Sequence, residues 1–495
     1  MRLSFHRFHP MPFALALCLL ALPLAVSGQQ AGQKPGQLPA KQATAKQDPR
    51  LEHAYRFERA HWTYVHLQGT PAQIGFQHGW LLAPEIEDAF HVVQMENTHS
   101  TNRDWRFFRQ ASRDVLWPHI ETEYRQELRG IVDGLRAHGV TNIDLWDVVA
   151  INGMMELPEY YVPMLDKEQH TKNAPKLKAP GDCSAFVATG DWTHDHRPVI
   201  AHNNWTSFLD GERWHIIFDV VPEHGHPFLM DGFPGNIDSA DDFGVNAAGI
   251  AITETTITGF HGFDPNGAPE FVRARKAMQY ASSIDDYVRT MLENNNGAYA
   301  NDWLLADMKT GEIARFELGL TMHHLWRTKN GYFVGSNFPS DPEFIRKETD
   351  FNPNNPASSP NARHKRWDAL MAQYKGQIDV ALAQQFLADH IDAYTGKEAR
   401  DERALCGHLD TSPRGVPEWG WSAYDPAGAV SAKAADSTMV RHMSFVARAG
   451  RPCGEDFWAT PFLKQHPQFD WERPLLRDMP GSPWASFHSG DKADN

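Results

Sequence analysis

The sequence changes character at residue 182, and that break constrains the fold more than any other feature. Residues 163–181 carry Lys167, Lys172, Lys176 and Lys178 with Pro175 and Pro180, and few apolar side chains. Such a stretch has little to bury, so it reads as an exposed, mobile linker of the kind that tolerates processing. Directly after Gly181 the pattern turns to β. Residues 184–189 predict a strand, 191–197 a polar turn and 198–201 a second strand. Cys183 therefore stands at the first residue of a predicted hairpin, at the end of a predicted linker.

On the N-terminal side, residues 51–160 read mainly helical. Leu128, Ile131, Val132 and Leu135 recur at helical spacing, with Gly139 as a C-cap. Another helical stretch runs from Gln77-His78-Gly79 through Leu81, Leu82, Ile86 and Phe90. Beyond the hairpin, strands are predicted at 214–221, 249–256, 303–307 and 332–336, helices at 269–293, 361–374 and 378–392, and a loop at 352–360. Strands and helices mixed without strict βαβ alternation predict an α+β fold.

The first residues read as a targeting segment. Arg2 and Arg7 precede an apolar stretch from Met11 to Val26, followed by Ser27 and Gly28. That run falls short of the roughly 20 residues a spanning helix needs, so 1–28 predicts a secretory signal peptide rather than an anchor. Residues 29–50 predict a disordered leader. The organisation expected is then 51–182 as a helical N-terminal fragment ending in the linker and 183–495 as a catalytic fragment. A net charge of −15 without a basic run argues against a nucleic-acid partner. With Cys18 removed in the signal peptide, Cys183, Cys406 and Cys453 remain. An odd count in an exported chain suggests one disulfide and one free thiol. Cys406 and Cys453 are candidates to pair, leaving Cys183 free; Cys183 as an ordinary buried cysteine is the equal alternative.

Placement gives Cys183 a chemistry. If the Asp182–Cys183 bond is cut, the residue's own α-amino group lies beside its own thiol. Such an amine titrates near pKa 7.7–8.0 and can take the thiol proton as general base. No catalytic histidine, metal or cofactor is then required.

The run Gly-Asp-Cys-Ser-Ala-Phe at 181–186 resembles the nucleophile segment of phospholipase B-like proteins. More broadly it resembles penicillin acyltransferase-like and choloylglycine hydrolase-like members of the N-terminal nucleophile superfamily. The likeness continues in order through Ala-His-Asn-Asn-Trp at 201–205, Phe-Pro-Gly at 233–235, Asp-Asp-Phe at 241–243, Glu-Thr-Thr-Ile at 254–257, Asn301-Asp-Trp303 and Gly335-Ser-Asn-Phe-Pro339. It implies a four-layer αββα fold with two central antiparallel sheets, and autocatalytic cleavage between Asp182 and Cys183. Asp182 stands where a small or neutral residue is more usual. The resemblance implies Cys183 as nucleophile and base, Asn337 as oxyanion donor, and Thr255 or Thr256 as a second polar donor. His202 and Asn204 are implied as contacts of the new N-terminus, with Asn203 the neighbouring alternative to Asn204. Asp241 and Asp242 read as a turn before a cation site. The implied partner is a lipid or N-acyl small molecule, cleaved at an ester or amide bond, in a secreted or periplasmic protein whose two fragments stay associated.

Other functions have weaker support. His194-Asp-His196, Glu223-His-Gly-His226 and His323-His324 are possible metal clusters, but none has a helical His-Glu-x-x-His spacing and no Cys-x-x-Cys occurs. There is no Gly-x-Ser-x-Gly nucleophile elbow. The 16 tryptophans could line the groove of a non-enzymatic binding protein, or fill a core.

Overall fold

Two β-sheets face each other across an apolar layer, and helices cover both outer faces. The computed structural model describes residues 48–168, 183–240 and 243–493. The expected signal peptide, most of the leader, Asp182, and Asp241 with Asp242 lie outside the described residues.

The first sheet has nine strands: β1 (Tyr55–Arg59), β2 (Trp62–Gly69), β5 (Ile216–Pro222), β6 (Phe228–Gly232), β7 (Gly244–Asn246), β8 (Ile250–Thr256), β9 (Asn301–Asp307), β10 (Glu312–Leu318) and β11 (His323–Thr328), in that spatial order. The second has six, in the order β12 (Gly331–Gly335), β3 (Ser184–Thr189), β4 (Val199–Ser207), β15 (Ala427–Asp436), β16 (Ser444–Ala449) and β17 (Ala485–His488). A hairpin of β13 (Ile391–Asp392) and β14 (Lys397–Glu398) stands apart. Ile217, Leu229, Val245, Ala251 and Leu304 of the first sheet pack with Ala185, Val187, Ile200 and Ala447 of the second. On the outer face of the second sheet, Phe186, Ala188, Val199 and Ala201 meet Trp367 and Leu370 of the Ser359–Gln373 helix and Phe386 of the Val380–Leu387 helix. The outer face of the first, with Phe218, Ile252 and Leu305, meets the helices of the N-terminal region. The α+β expectation and its four αββα layers are the observed architecture.

Three expectations need correction. Residues 51–160 are not helical at their start, because β1 and β2 form the edge of the nine-stranded sheet. β2 is buried on both faces over most of its length, so it lacks the polar–apolar alternation that marks a half-exposed strand. It pairs with β5 in parallel, from Thr63↔Ile216 to Gly69↔Pro222, so the sheets are not wholly antiparallel. The ends of the two predicted mobile segments also move. Asp48 caps a turn at Pro49–Leu51, and the Arg50 carbonyl accepts from Gln77 Nε2 at 2.8 Å. Val162–Glu168 is helical.

The helices Pro71–Leu81 and Thr122–His138 approach unusually closely. Gly75 and Gly79 of one meet Gly130 and Gly134 of the other, and a Cβ on any of the four would lie within 2.5 Å of a backbone oxygen. The first of these helices also holds the 233–238 loop. His78 Nε2 accepts from the Gly235 amide at 3.0 Å, and burial pushes the His78 pKa down to about 3, which keeps the ring neutral. Asn152 closes the same loop through Gly235 O and the Ile237 amide. No helix among the described residues is long and apolar enough to cross a membrane.

Candidate active site

Cys183 is fully buried and immediately precedes β3. Strand register decides which residues face it. Ser184 pairs with Asn203 and Ala185 with His202, so the next step of the ladder brings Cys183 opposite Asn204. His202 and Asn204 share the inner face with Ile200, because side chains alternate along a strand. Asn203 points the other way and donates to the carbonyls of Leu387 (2.8 Å) and Leu405 (3.0 Å). Of Asn203 and Asn204, it is therefore Asn204 that lies on the Cys183 side. Its Nδ2 is buried with no hydrogen-bond partner among the described residues.

Among the described residues, His202 and Glu254 lie near the thiol. Cys183 Sγ lies 3.8 Å from Glu254 Oε1, which also accepts from the Tyr299 hydroxyl at 3.0 Å. The sulfur, a ring nitrogen of His202 and a Glu254 carboxylate oxygen all lie within 4.8 Å of one another. By distance, these three could also ligate a metal ion. Across β15, Lys433 pairs in register with His202 and forms a buried ion pair with Asp231 of β6 at 2.7 Å, tying the two sheets together.

Arg363, from the Ser359–Gln373 helix, fixes the main chain of the site. Its side chain is fully buried. It donates to Cys183 O (2.6 Å), Ser184 Oγ (3.0 Å) and Asn337 Oδ1 (2.8 Å), and its guanidinium lies 4.5 Å from the centre of the Trp205 ring. Asn337 follows β12 at φ +62°, a left-handed conformation in which Asn is among the favoured non-glycine residues. Its Nδ2 donates to Thr256 O at 2.7 Å, and its carbonyl accepts from Thr258 Oγ1 at 2.7 Å. Thr256 thus meets Asn337 through its carbonyl, while its buried hydroxyl has no hydrogen-bond partner among the described residues. The Thr255 side chain packs over Gly335, where a Cβ would sit 2.5 Å from Thr255 Cγ2.

The structure thus gathers Cys183, His202, Asn204, Asn337 and the Thr255–Thr256 strand end. It adds Glu254, Tyr299 and Arg363, which sequence reasoning missed. Glu254 was legible as part of a motif but carried no role. Arg363 lies among His364, Lys365 and Arg366, and nothing in that basic run singles it out.

The expected Cys406–Cys453 disulfide is not formed; both thiols are free. Each sulfur instead faces His408 Nε2 at 3.6 Å. The histidine pairs that looked like metal clusters do lie in exposed places: His194 and His196 in a turn, His224 in another, His323 and His324 on the edge strand β11. Trp62, Trp205, Trp214, Trp303 and Trp367 are fully buried, so they are core rather than groove.

Known proteins share this chain's sequence pattern. The model of the family described as Phospholipase B matches residues 86–337, half of the chain. A phospholipase B-like 1 of Caenorhabditis elegans is 24% identical over 75% of this chain and 69% of its own length. An uncharacterized protein of Archaeoglobus fulgidus is 25% identical over 51% of this chain and 42% of its own. A phospholipase B-like 2 of Rattus norvegicus is 27% identical over 30% of this chain and 27% of its own. Among solved structures, a conjugated bile acid hydrolase from Clostridium perfringens aligns over 54% of this chain and 89% of its own at 11% identity, with a TM-score of 0.32. That score adds nothing to the layers read directly from the sheets.

Proposed function

We propose that this chain, which belongs to the phospholipase B family, is an exported hydrolase that cuts itself before Cys183 and then cleaves acyl ester or amide bonds of lipids with that cysteine. The observation that carries the reading is the environment of Cys183. It is the residue before a central strand, with its thiol beside His202 and Glu254 and its carbonyl held by Arg363. The lipid class rests on the family's name and on the names of the relatives. Export rests on the signal-like first 28 residues.

In the precursor the Cys183 thiol gives its proton to the adjacent carboxylate or imidazole and attacks the carbonyl carbon of Asp182. The C–N bond breaks, the nitrogen gains a proton, and a thioester remains. Water then hydrolyses it, its hydroxyl going to the Asp182 acyl carbon and a proton to sulfur. The freed α-amine next serves as base for the same thiol. In turnover the sulfur attacks the substrate acyl carbon, the alcohol or amine leaves with the proton, and water clears the acyl-enzyme. Asn337 supplies the amide hydrogen for the oxyanion, a donor worth about 3–4 kcal/mol. His202 and Asn204 hold the new N-terminus, and the Thr256 strand end lines the oxyanion side.

Intact-mass spectrometry under denaturing, reducing conditions tests the cut. The wild type gives two fragments meeting at Asp182 and Cys183, and Cys183→Ala gives one unbroken chain. A wild type that stays whole even after prolonged mild acid incubation sinks the mechanism.

A further inference from the structure

Four side chains from three separate segments converge behind β4, away from the Cys183 site. His390 follows the Val380–Leu387 helix, Cys406 and His408 lie in the loop beyond the β13–β14 hairpin, and Cys453 lies in the turn after β16. One donor atom from each lies within 4.8 Å of every other. His408 Nε2 is 3.0 Å from His390 Nε2, 3.6 Å from Cys406 Sγ and 3.6 Å from Cys453 Sγ. A tetrahedral zinc ion with Zn–N of about 2.0–2.1 Å and Zn–S of about 2.3 Å sets N···S edges of about 3.6 Å and an N···N edge of about 3.3 Å. Both sulfur edges agree, and the imidazole edge is slightly short.

The chemistry of the donors points the same way. An imidazole Nε2 offers either one hydrogen or one lone pair, so it cannot satisfy an imidazole and two sulfurs at once. A cation at their centre satisfies all four. Two thiolates also balance the charge of zinc(II), which lets the centre sit where Cys406 and His408 are buried. A disulfide would leave the two imidazoles joined only by their own Nε2···Nε2 contact of 3.0 Å. The surroundings fit a metal site as well: the Glu455 carboxylate lies 4.0 Å from His408 Nδ1, and the Cys406 amide donates to Asp389 O at 3.0 Å.

We infer that His390, Cys406, His408 and Cys453 form a structural zinc site that fastens the 390–408 excursion and the turn carrying Cys453 to the back of β4. Four protein ligands close the coordination sphere, so the ion holds structure rather than substrate. The fastening acts on the strand that carries His202 and Asn204. Leu405 O accepts from Asn203, and Gly407 packs against the Trp205 ring so closely that a Cβ would lie 2.3 Å from it.

The test uses the full chain purified without chelator, with elemental analysis as the readout. About one zinc per chain is expected, falling to near background in both Cys453→Ser and His390→Ala. Cobalt(II) substitution of the wild type should give thiolate charge-transfer and tetrahedral d–d absorption. Stripping zinc from the wild type should lower Tm and adding zinc back should restore it, a readout that does not depend on the variants folding. The inference is overturned by a reduced wild-type chain that takes up no zinc on titration, including one purified with a Cys406–Cys453 disulfide. It is equally overturned by full zinc occupancy in both variants, or by stoichiometric binding of a metal other than zinc.

Discussion

Arg363 joins the two ends of the candidate chemistry, since one guanidinium reaches both the Cys183 carbonyl and the Asn337 side chain. A lysine would keep the charge but lose the planar fork that serves two acceptors at once. Arg363→Lys should therefore fold yet slow self-cleavage by roughly 10²-fold, the scale of a misplaced reacting group. The time course of fragment appearance by mass spectrometry measures it, and an unchanged rate would remove Arg363 from the positioning of Cys183. At this scale the sequence was informative where residues sit in short ordered runs. Cys183, His202, Asn204 and Asn337 come from such runs through the family resemblance, and the structure brings them to one place. It was silent on Arg363, Lys433 and the His390–Cys406–His408–Cys453 group, whose meaning depends on side chains brought together from distant segments. Counting thiols suggested a disulfide because a count carries no positions. The structure shows one histidine, His408, within 3.6 Å of both sulfurs.

Among the elements, the pairing of Pro71–Leu81 with Thr122–His138 shows packing outweighing propensity. Alanine is the better helix former by about 1 kcal/mol. At Gly130, however, a Cβ would sit 2.5 Å from Ala72 O and 2.8 Å from the Phe76 nitrogen, and neither backbone atom can yield cheaply. Gly130→Ala should cost about 3 kcal/mol or more, as overpacking does, with a matching drop in denaturant midpoint. Equal or greater stability would mean the helices can part without loss. The helical reading of this region was sound in its periodic stretches and failed at β1 and β2. β15 was missed for a related reason. Its sequence Ala-Gly-Ala-Val-Ser-Ala-Lys-Ala-Ala-Asp has few β-formers, yet it is buried along nearly its whole length. Small side chains there admit close neighbours. Val430 fills the space over Gly211, where a Cβ would lie 2.2 Å from Val430 Cγ1.

For the whole molecule, buried ionisable groups set opposing pH limits. Burial raises Glu156 to about 7 and Asp238 to about 8, so both are protonated in the fold over a range where the unfolded chain has lost those protons. Their contribution is full below the ordinary carboxylate range and is lost as pH rises through 7 and 8. Burial lowers His78 to about 3 and His215 to about 4, so their contribution is present above the ordinary histidine value and is lost on acidification toward those values. Thermal stability should therefore peak in mildly acidic solution. Glu156 accepts from the amides of Glu270 and Phe271 and from Asn296, and Gln at that position stays neutral at every pH. Relative to the wild type, Glu156→Gln should gain about 2 kcal/mol between pH 5 and pH 8. Tm or denaturant melts at the two pH values read the difference, and parallel behaviour of the two proteins would remove Glu156 from the alkaline limb.

The parallel ladder between β2 and β5 has a consequence for the history of each molecule. It pairs a strand before residue 182 with a strand after it over seven consecutive positions, in the interior of the nine-stranded sheet. If the chain is cut before Cys183, one cooperative core becomes an interface between two polypeptides. The native state can persist, but its recovery after unfolding changes from a first-order to a second-order process, with the loop-closure advantage of the intact chain gone. A protein that activates itself in this way would fold once, as a precursor, and would thereafter be held by the slowness of unfolding rather than by an equilibrium it can readily re-enter.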